Sequence, residues 1–266
     1  MSGVSLDGRG GFFNSNLGFA MAAGLGAVPG AARVVLLGHN PDIDTGTDPE
    51  DVWGFGGLYP FQSTAQTLEV LSSSVNDTSV GTGARTVLIS GLDANYNTIT
   101  EVKTLNGVTP VTTTNQFLRV NIFTTTSSGS TGYNEGNITL RVAGGGNVQN
   151  YIELGYGFGR TAVYTVPAGF TFFMTSAVFS VNTAPGATPN ACTFGLHQRS
   201  STGNSRIPLE FQVTSTTPYM HETKEGLVLS EKTDFTLRAQ IVRQDNTDVT
   251  AAAAGILFDN TRLVGM

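Results

Sequence analysis

The chain has 266 residues, a formal net charge of −6 and a charged fraction of 13%, well below the roughly 25% usual in soluble proteins. Its 14 lysines and arginines form no run, which excludes a nucleic-acid groove because such a groove needs clustered positive charge. A single cysteine excludes an internal disulfide and a zinc site, so we expect Cys192 to be a small buried apolar residue.

Residues 1–50 are predicted to form an extended N-terminal arm that ends in an acidic loop. They hold too few large apolar residues to close a core, and only Val34–Leu37 has the composition of a short strand. The Ala/Gly-rich stretch Leu17–Gly38 approaches the length of a membrane span, but Pro29-Gly30 and Arg33 interrupt it. We therefore expect no membrane insertion and no secretion signal, and close packing against a partner instead. The arm residues expected to contact that partner are Leu17, Phe19, Met21 and Arg33.

Residues 51–266 are predicted to form an all-β, antiparallel β-sandwich of the jelly-roll or Greek-key kind, with a mobile loop at 124–134. Short segments rich in β-branched and aromatic residues follow one another at regular spacing, and no amphipathic helix interrupts them. The predicted strands are Thr67–Ser72, Arg85–Leu92, Asn97–Leu105, Phe117–Thr124, Asn137–Ala143, Gln149–Leu154, Thr161–Val166, Phe170–Val181, Ala191–Arg199, Ile207–Val213, Leu227–Ser230, Asp234–Arg243 and Ala254–Asp259.

Turn residues separate these strands. Asn106-Gly107 is the strongest short hairpin signal in the chain and predicts that the strand ending at Leu105 pairs with the next one. Pro167-Ala168-Gly169 predicts a turn with proline at its first central position, leading into the long strand that starts at Phe170.

The acidic loop allows three interpretations. Carboxylates at Asp42, Asp44 and Asp48 alternate as the ligands of a hard cation such as calcium would, although the spacing differs from that of an EF-hand. The favoured interpretation is a turn in which Asp42 and Asp48 accept backbone N–H bonds. A third is pairing with basic residues of a neighbouring protein.

Residue patterns that would indicate catalysis are weak. The three histidines are far apart in sequence, no G-x-S-x-G motif occurs, and no spacing ties together Glu153, Glu210, Glu222 or Glu231 as a glycosidase pair. The stretch Gly155–Gly159 has the wrong spacing for a phosphate-binding loop. We therefore expect no enzymatic activity and no cofactor.

Two groups of aromatic residues are candidates for partner binding. Tyr156 and Phe158 alternate with glycines, as in a loop that inserts into a partner's pocket. A second group lies near residue 55, and its position is compatible with two roles, packing in the core or anchoring an interface. Its members are Trp53, Phe55, Tyr59 and Phe61.

Several stretches together resemble a widespread group of virion structural proteins of tailed bacteriophages. The resemblance extends over roughly Val52–Leu257 and implies a non-enzymatic β-sandwich that oligomerises on the virion. The stretches that carry it are Gly56–Phe61, Leu68–Ser74, Asn76–Asp93, Thr104–Thr112 and Tyr164–Phe170.

From the resemblance, the low charge and the arm, we expect a capsid decoration (cement) protein located in the virion and assembled in the host cytoplasm. Its expected partners are the major capsid protein and further copies of itself, in a trimer. The first alternative is a tail, baseplate or fibre protein that contacts the host surface. The second is a secreted enzyme acting on glycans.

Overall fold

The computed structural model describes residues 19–182, 190–214 and 218–262, without the side chains at positions 19, 20 and 223–225. The described chain is nearly all β, with one short helix, α1 (Phe19–Gly24), and one 3-10 turn (Asn260–Arg262). None of its helices is long and apolar enough to cross a bilayer. The strands are β1 (Ala31–Ile43), β2 (Glu50–Asp51), β3 (Gln66–Ser72), β4 (Ala84–Leu92), β5 (Thr98–Thr104), β6 (Val111–Phe117), β7 (Arg119–Ser128), β8 (Ile138–Val142), β9 (Val148–Ile152), β10 (Val163–Thr165), β11 (Phe170–Asn182), β12 (Ala191–Arg199), β13 (Ser205–Thr214), β14 (Tyr219–Leu229), β15 (Asp234–Val242) and β16 (Thr247–Asp259).

Eight of the strands form a jelly roll. One sheet has the order β1-β16-β11-β14 and the facing sheet has the order β10-β15-β12-β13, with β2 added beside β15. Counted along the chain from β1 and then β10 to β16, the first strand pairs with the eighth, the second with the seventh, the third with the sixth and the fourth with the fifth, all antiparallel. This nested pairing is the jelly-roll arrangement, so the predicted all-β, antiparallel fold is confirmed.

The remaining strands, β3–β9, form a second sandwich inserted between the first two strands of the jelly roll. Its sheets have the orders β6-β3-β8-β9 and β5-β4-β7, and they enclose their own apolar core around Phe117 and Phe123. The jelly-roll core, around Phe172, Phe194 and Phe235, is separate. The structure therefore has two sandwiches where one was expected over residues 51–266. The strands of the two sandwiches have similar local sequence patterns. Only the pairing between distant strands distinguishes one sandwich from the other.

Residues 31–51 do not extend as an arm, in contrast to the expectation for residues 1–50. β1 pairs with β16 from Ala31 to Ile43, and Leu36 and Ile43 lie in the jelly-roll core. Gly38 lies so close to the neighbouring chain that an added Cβ would stand 2.2 Å from the Val52 carbonyl oxygen. The few large apolar residues of this segment cannot close a core among themselves. They are buried because β1 shares a core formed by distant segments.

Three loop predictions also differ from the structure. The chain at Asn106-Gly107 crosses between sheets, because β5 pairs with β4 while β6 pairs with β3. Phe170 N–H donates to the Pro167 carbonyl, so proline occupies the first position of that turn and not a central one. In the loop predicted at 124–134, residues up to Ser128 belong to β7, and Thr131 N–H donates to the Thr82 carbonyl.

Candidate functional site

The two sandwiches are joined by a buried ion pair. The guanidinium of Arg119 on β7 binds both carboxylate oxygens of Asp234 on β15, through Nε at 2.8 Å and Nη2 at 2.9 Å. Arg199 and the Thr165 hydroxyl donate to the same carboxylate. Burial alone would lower the pKa of Arg119, but the hydrogen bonds and charge of Asp234 raise it above its usual value. The pair therefore fixes one sandwich against the other.

Several acidic side chains are buried and form hydrogen bonds within the chain. Asp77 is fully buried and accepts hydrogen bonds from the Ser72 hydroxyl and from the backbone N–H groups of Ala84, Glu135 and Gly136. A carboxylate that binds backbone N–H groups in this way holds a turn in place. Asp77 therefore stabilises the loop between β3 and β4 and ties it to the residues before β8.

The acidic loop is braced against the β15–β16 connection. Asp44 accepts the N–H of Asn246 at 2.8 Å and Asp48 accepts the N–H of Val242 at 3.1 Å. The capping interpretation is thus confirmed for Asp48, while Asp42 is exposed and its own N–H donates to the Asn40 side chain. In the described residues, no group of three or more His, Cys, Asp or Glu side chains is placed to hold a metal ion.

Two of the aromatic residues predicted to bind a partner are instead internal. Trp53 and Tyr59 are buried with Val163 between the sandwiches, and their rings meet edge to face at 5.1 Å. The Trp53 indole donates to the Gly57 carbonyl and the Tyr59 hydroxyl donates to the Gln149 carbonyl. Burial raises the pKa of Tyr59 well above its usual range. These two side chains support the junction and offer no free surface.

Three other aromatic residues predicted to bind a partner are exposed, and we call them the aromatic patch: Phe55, Tyr156 and Phe158. Phe55 is 53% exposed and Tyr156 is 49% exposed. The Arg160 guanidinium stacks on the Tyr156 ring at 3.7 Å and also binds Glu153. Since Phe55 packs on Tyr151, two residues from Glu153, these contacts hold the rings of Phe55 and Tyr156 in place.

Three residues of types that often serve in catalysis, a histidine, a cysteine and a glutamate, instead form contacts within the fold. His39 lies between Asp248, at 3.1 Å, and Glu153, at 3.7 Å, and so contacts both sandwiches. Cys192 is buried in the jelly-roll core, as expected, and burial raises the pKa of its thiol to about 12. The carboxylate of Glu231 accepts the Gly169 N–H.

The outer face of the sheet β1-β16-β11-β14 is uncovered in its middle rows, between helix α1 at one end and His39 at the other, and we call these middle rows the bare face. In one row across the four strands, Leu37 is opposite Ala252, Ala252 opposite Val178, and Val178 opposite Met220. In the next row, Val35, Ala254, Ser176 and Glu222 follow in the same order. Val35 is 55% exposed and Met220 is 60% exposed. An apolar surface that continues across four strands is typical of an interaction site.

Helix α1 covers one end of this sheet. Ala22 and Ala23 pack with Ile256 and Phe258, while Met21 is exposed on the other side of the helix. Arg33, on β1, is also exposed. The side chains of Met21 and Arg33 are thus exposed, and their role in partner binding stays a prediction. Leu17 lies outside the described residues, as does the side chain of Phe19.

Sequence reasoning missed the bare face itself. The signal was present, because Val34–Leu37 and Ala251–Ala254 are runs of four apolar residues, typical of strands that are covered on both faces. Which residues of these runs lie together depends on the register between β1, β16 and β11, which no local pattern determines.

Comparison with known proteins assigns this chain to no family. No protein-family model and no curated protein matches the chain. Among solved structures, the chain is similar to that of infectious bursal disease virus strain Gx with a TM-score of 0.22 and 11% identity, over 86% of this chain and 72% of that one. For strain Gt of the same virus the TM-score is 0.15 and the identity 9%, over 91% and 87% of the two chains. TM-scores this low fall short of a shared fold.

Proposed function

We propose that this chain is a structural protein of a virus particle, most specifically a capsid decoration protein of a tailed bacteriophage. The observation that carries the proposal is the bare face: a rigid, well-packed sheet whose outer surface is apolar and uncovered. Such a surface suits a subunit whose neighbours in an assembly cover it. The jelly roll itself is used by many viral shell proteins, but also by lectins and cupins, so it agrees with the proposal without carrying it.

The aromatic patch is the proposed contact with the major capsid protein. The rings of Phe55 and Tyr156 are exposed yet held in place by Tyr151 and Arg160, so little side-chain entropy is lost when they are buried. Aromatic residues of this kind dominate the free energy of many interfaces. In this proposal the protein binds the assembled shell and stabilises it by mass action, without catalysis.

The alternative location is the tail or a fibre. The observation that favours it is the Tyr156 ring, which presents one exposed face while Arg160 holds the other, as a platform for a sugar ring would. Copy number separates the two locations. We expect quantitative mass spectrometry of purified particles to give hundreds of copies for a shell protein, whereas about a dozen would indicate the tail. Absence from the particles would refute both.

Binding to purified capsids that lack this protein tests the contact. The double variant Phe55→Ala/Tyr156→Ala should lose at least about tenfold in affinity, in line with the loss of two aromatic anchors. The matched control is Tyr133→Ala, an equally exposed tyrosine on the inserted sandwich. If the double variant saturates capsids at the wild-type concentration, the aromatic patch is not the contact. Deletion of residues 2–18, which leaves α1 and β1 in place, tests the N-terminal segment in the same assay.

A further inference from the structure

A cleft lies at the junction of the two sandwiches, around the Arg199 side chain. Its central cavity has a volume of about 300 Å³ and lies between the loop that precedes β3 and the outer face of β12 and β15. A second cavity, of about 200 Å³, adjoins it at Arg199 and Asp234, which line both cavities. We call the two cavities together the junction cleft. Sites for small molecules occur preferentially in clefts of this kind, where two domains meet.

Strand register directs the side chain of Thr236 into the junction cleft. Its neighbours along β15, Phe235 and Leu237, belong to the jelly-roll core. Since successive side chains in a strand point to opposite faces, Thr236 points away from that core and toward the inserted sandwich. Thr236 is paired with Val163, which packs with Tyr59 between the sandwiches. The hydroxyl of Thr236 therefore lies on the wall of the central cavity.

This hydroxyl is buried without a partner. Thr236 is 2% exposed, and its Oγ1 makes no hydrogen bond to any of the described residues. Two more side chains that line the cleft, those of Gln62 and Gln198, are 7% and 3% exposed and also have one polar atom each without a partner. An unpaired buried polar group is destabilising, so nearly all such groups in native proteins bind protein, water or a ligand.

Hydrogen bonds within the chain determine which end of each amide is free. Arg206 Nε donates to Gln198 Oε1 at 2.7 Å, so the free atom is Nε2, a donor. Gln62 Nε2 donates to the Phe117 carbonyl and to Gln149 Oε1, so the free atom is Oε1, an acceptor. With the threonine hydroxyl, which both donates and accepts, the cleft offers uncharged groups of every hydrogen-bonding kind.

The charged side chains that line the cleft form ion pairs. Asp234 binds Arg119 and Arg199, and Arg238 binds Asp51 at 2.7 Å. A charged ligand would have to compete with these pairs, whereas an uncharged ligand would not. The groups left to recognise a ligand are therefore the neutral ones.

We propose that the junction cleft binds a neutral saccharide. Each sugar hydroxyl donates and accepts hydrogen bonds, which matches the free donor, acceptor and hydroxyl of the cleft. Leu58, which is 52% exposed, and Phe61 add an apolar wall to the central cavity for the C–H face of a sugar ring. The junction cleft shares no residue with the aromatic patch. The inference therefore holds whether or not the protein is part of a virion.

A glycan array probed with the labelled full chain tests the proposal, followed by isothermal titration calorimetry with the neutral oligosaccharide that binds best. Thr236→Val keeps the shape of the side chain and removes the hydroxyl. We expect this variant to bind the oligosaccharide at least about tenfold more weakly than the wild type, because one hydrogen bond to the ligand is lost. Its melting temperature should not fall, since no hydrogen bond within the protein is lost.

The matched control is Thr113→Val, on β6 of the inserted sandwich. Thr113 is 4% exposed, and its hydroxyl accepts the Leu68 N–H and donates to the Asn115 carbonyl. This variant should lower the melting temperature and leave saccharide binding unchanged, the reverse of Thr236→Val. Three results would overturn the proposal: an array on which no neutral glycan binds, wild-type affinity in Thr236→Val, or a loss of stability in Thr236→Val equal to that in Thr113→Val.

Discussion

Removing either partner of the buried ion pair between the sandwiches should destabilise the protein strongly. The loss of Asp234 should cost more than the loss of Arg119. Asp234 is the better target, because its loss leaves the buried Arg119 guanidinium without a charged partner, with only carbonyl oxygens and the rings of Phe61 and Tyr96 beside it. Arg119→Met leaves the Asp234 carboxylate with two remaining donors, Arg199 and Thr165. We therefore expect Asp234→Asn to cost more than Arg119→Met.

The magnitude follows from burial. Breaking a buried pair by removing one partner costs about 3–5 kcal/mol, because an uncompensated charge stays in the interior. We place Asp234→Asn at about 4 kcal/mol and Arg119→Met at about 3 kcal/mol. Arg199→Met should cost about 1 kcal/mol or less, since that side chain is 42% exposed and its hydrogen bond is partly screened by water.

Urea unfolding and differential scanning calorimetry are the appropriate measurements. With roughly 2–4 °C per kcal/mol for a chain of this size, Asp234→Asn should lower the melting temperature by about 8–16 °C. Because the pair joins two separate cores, its loss should also split a single transition into two. Arg243→Met, an exposed arginine at the end of β15, is the control and should change stability by less than about 0.5 kcal/mol. If Arg199→Met costs as much as Asp234→Asn, the argument from burial is wrong.

Three further predictions concern pH, reactivity and packing. Burial alone would raise the pKa of Glu69, but the N–H groups of the glycine turn and the Arg141 guanidinium lower it below its usual value. Because its folded-state pKa is depressed, its stabilising contribution is present above about pH 4.5 and is lost as the pH falls through the folded value. The urea midpoint of Glu69→Gln should therefore depend less on pH below about 4.5 than that of the wild type. Cys192, with a thiol pKa of about 12, should resist alkylation by iodoacetamide in the native protein and react only in denaturant, and labelling of the native protein would contradict its burial. Gly38→Ala should lower stability by about 2 kcal/mol or more because its Cβ would meet the Val52 carbonyl, and an unchanged urea midpoint would show that β1 is not packed as described.

Local patterns in the sequence were sufficient for the strands. β-branched residues, period-two alternation and turn residues act over neighbouring positions, so β4, β12 and β15 were predicted within a residue of their observed limits. The burial of Cys192 was also predictable, because it lies between the apolar residues Ala191 and Phe194 and no second cysteine exists. The same patterns do not specify which strand pairs with which.

Pairing is decided by contacts between distant segments. Nothing near Leu36 indicates that its partner is Ala253, more than two hundred residues away, so local pattern predicts an arm where the structure has β1. The insertion of β3–β9 escaped detection for the same reason, because strands of both sandwiches look alike and differ only in the core they share.

The candidate site divides in the same way. The sequence by itself determined that the chain would be all β and poor in charge, with two groups of aromatic residues that could serve an interface. Only the tertiary structure decided that Trp53 is buried while Phe55 is exposed, although both belong to one short stretch. It also decided that Val35 and Met220 share one uncovered face. The physical reason is that burial belongs to the packed sheet and not to the residue: a side chain's neighbours in space come from strand register, which the whole fold determines.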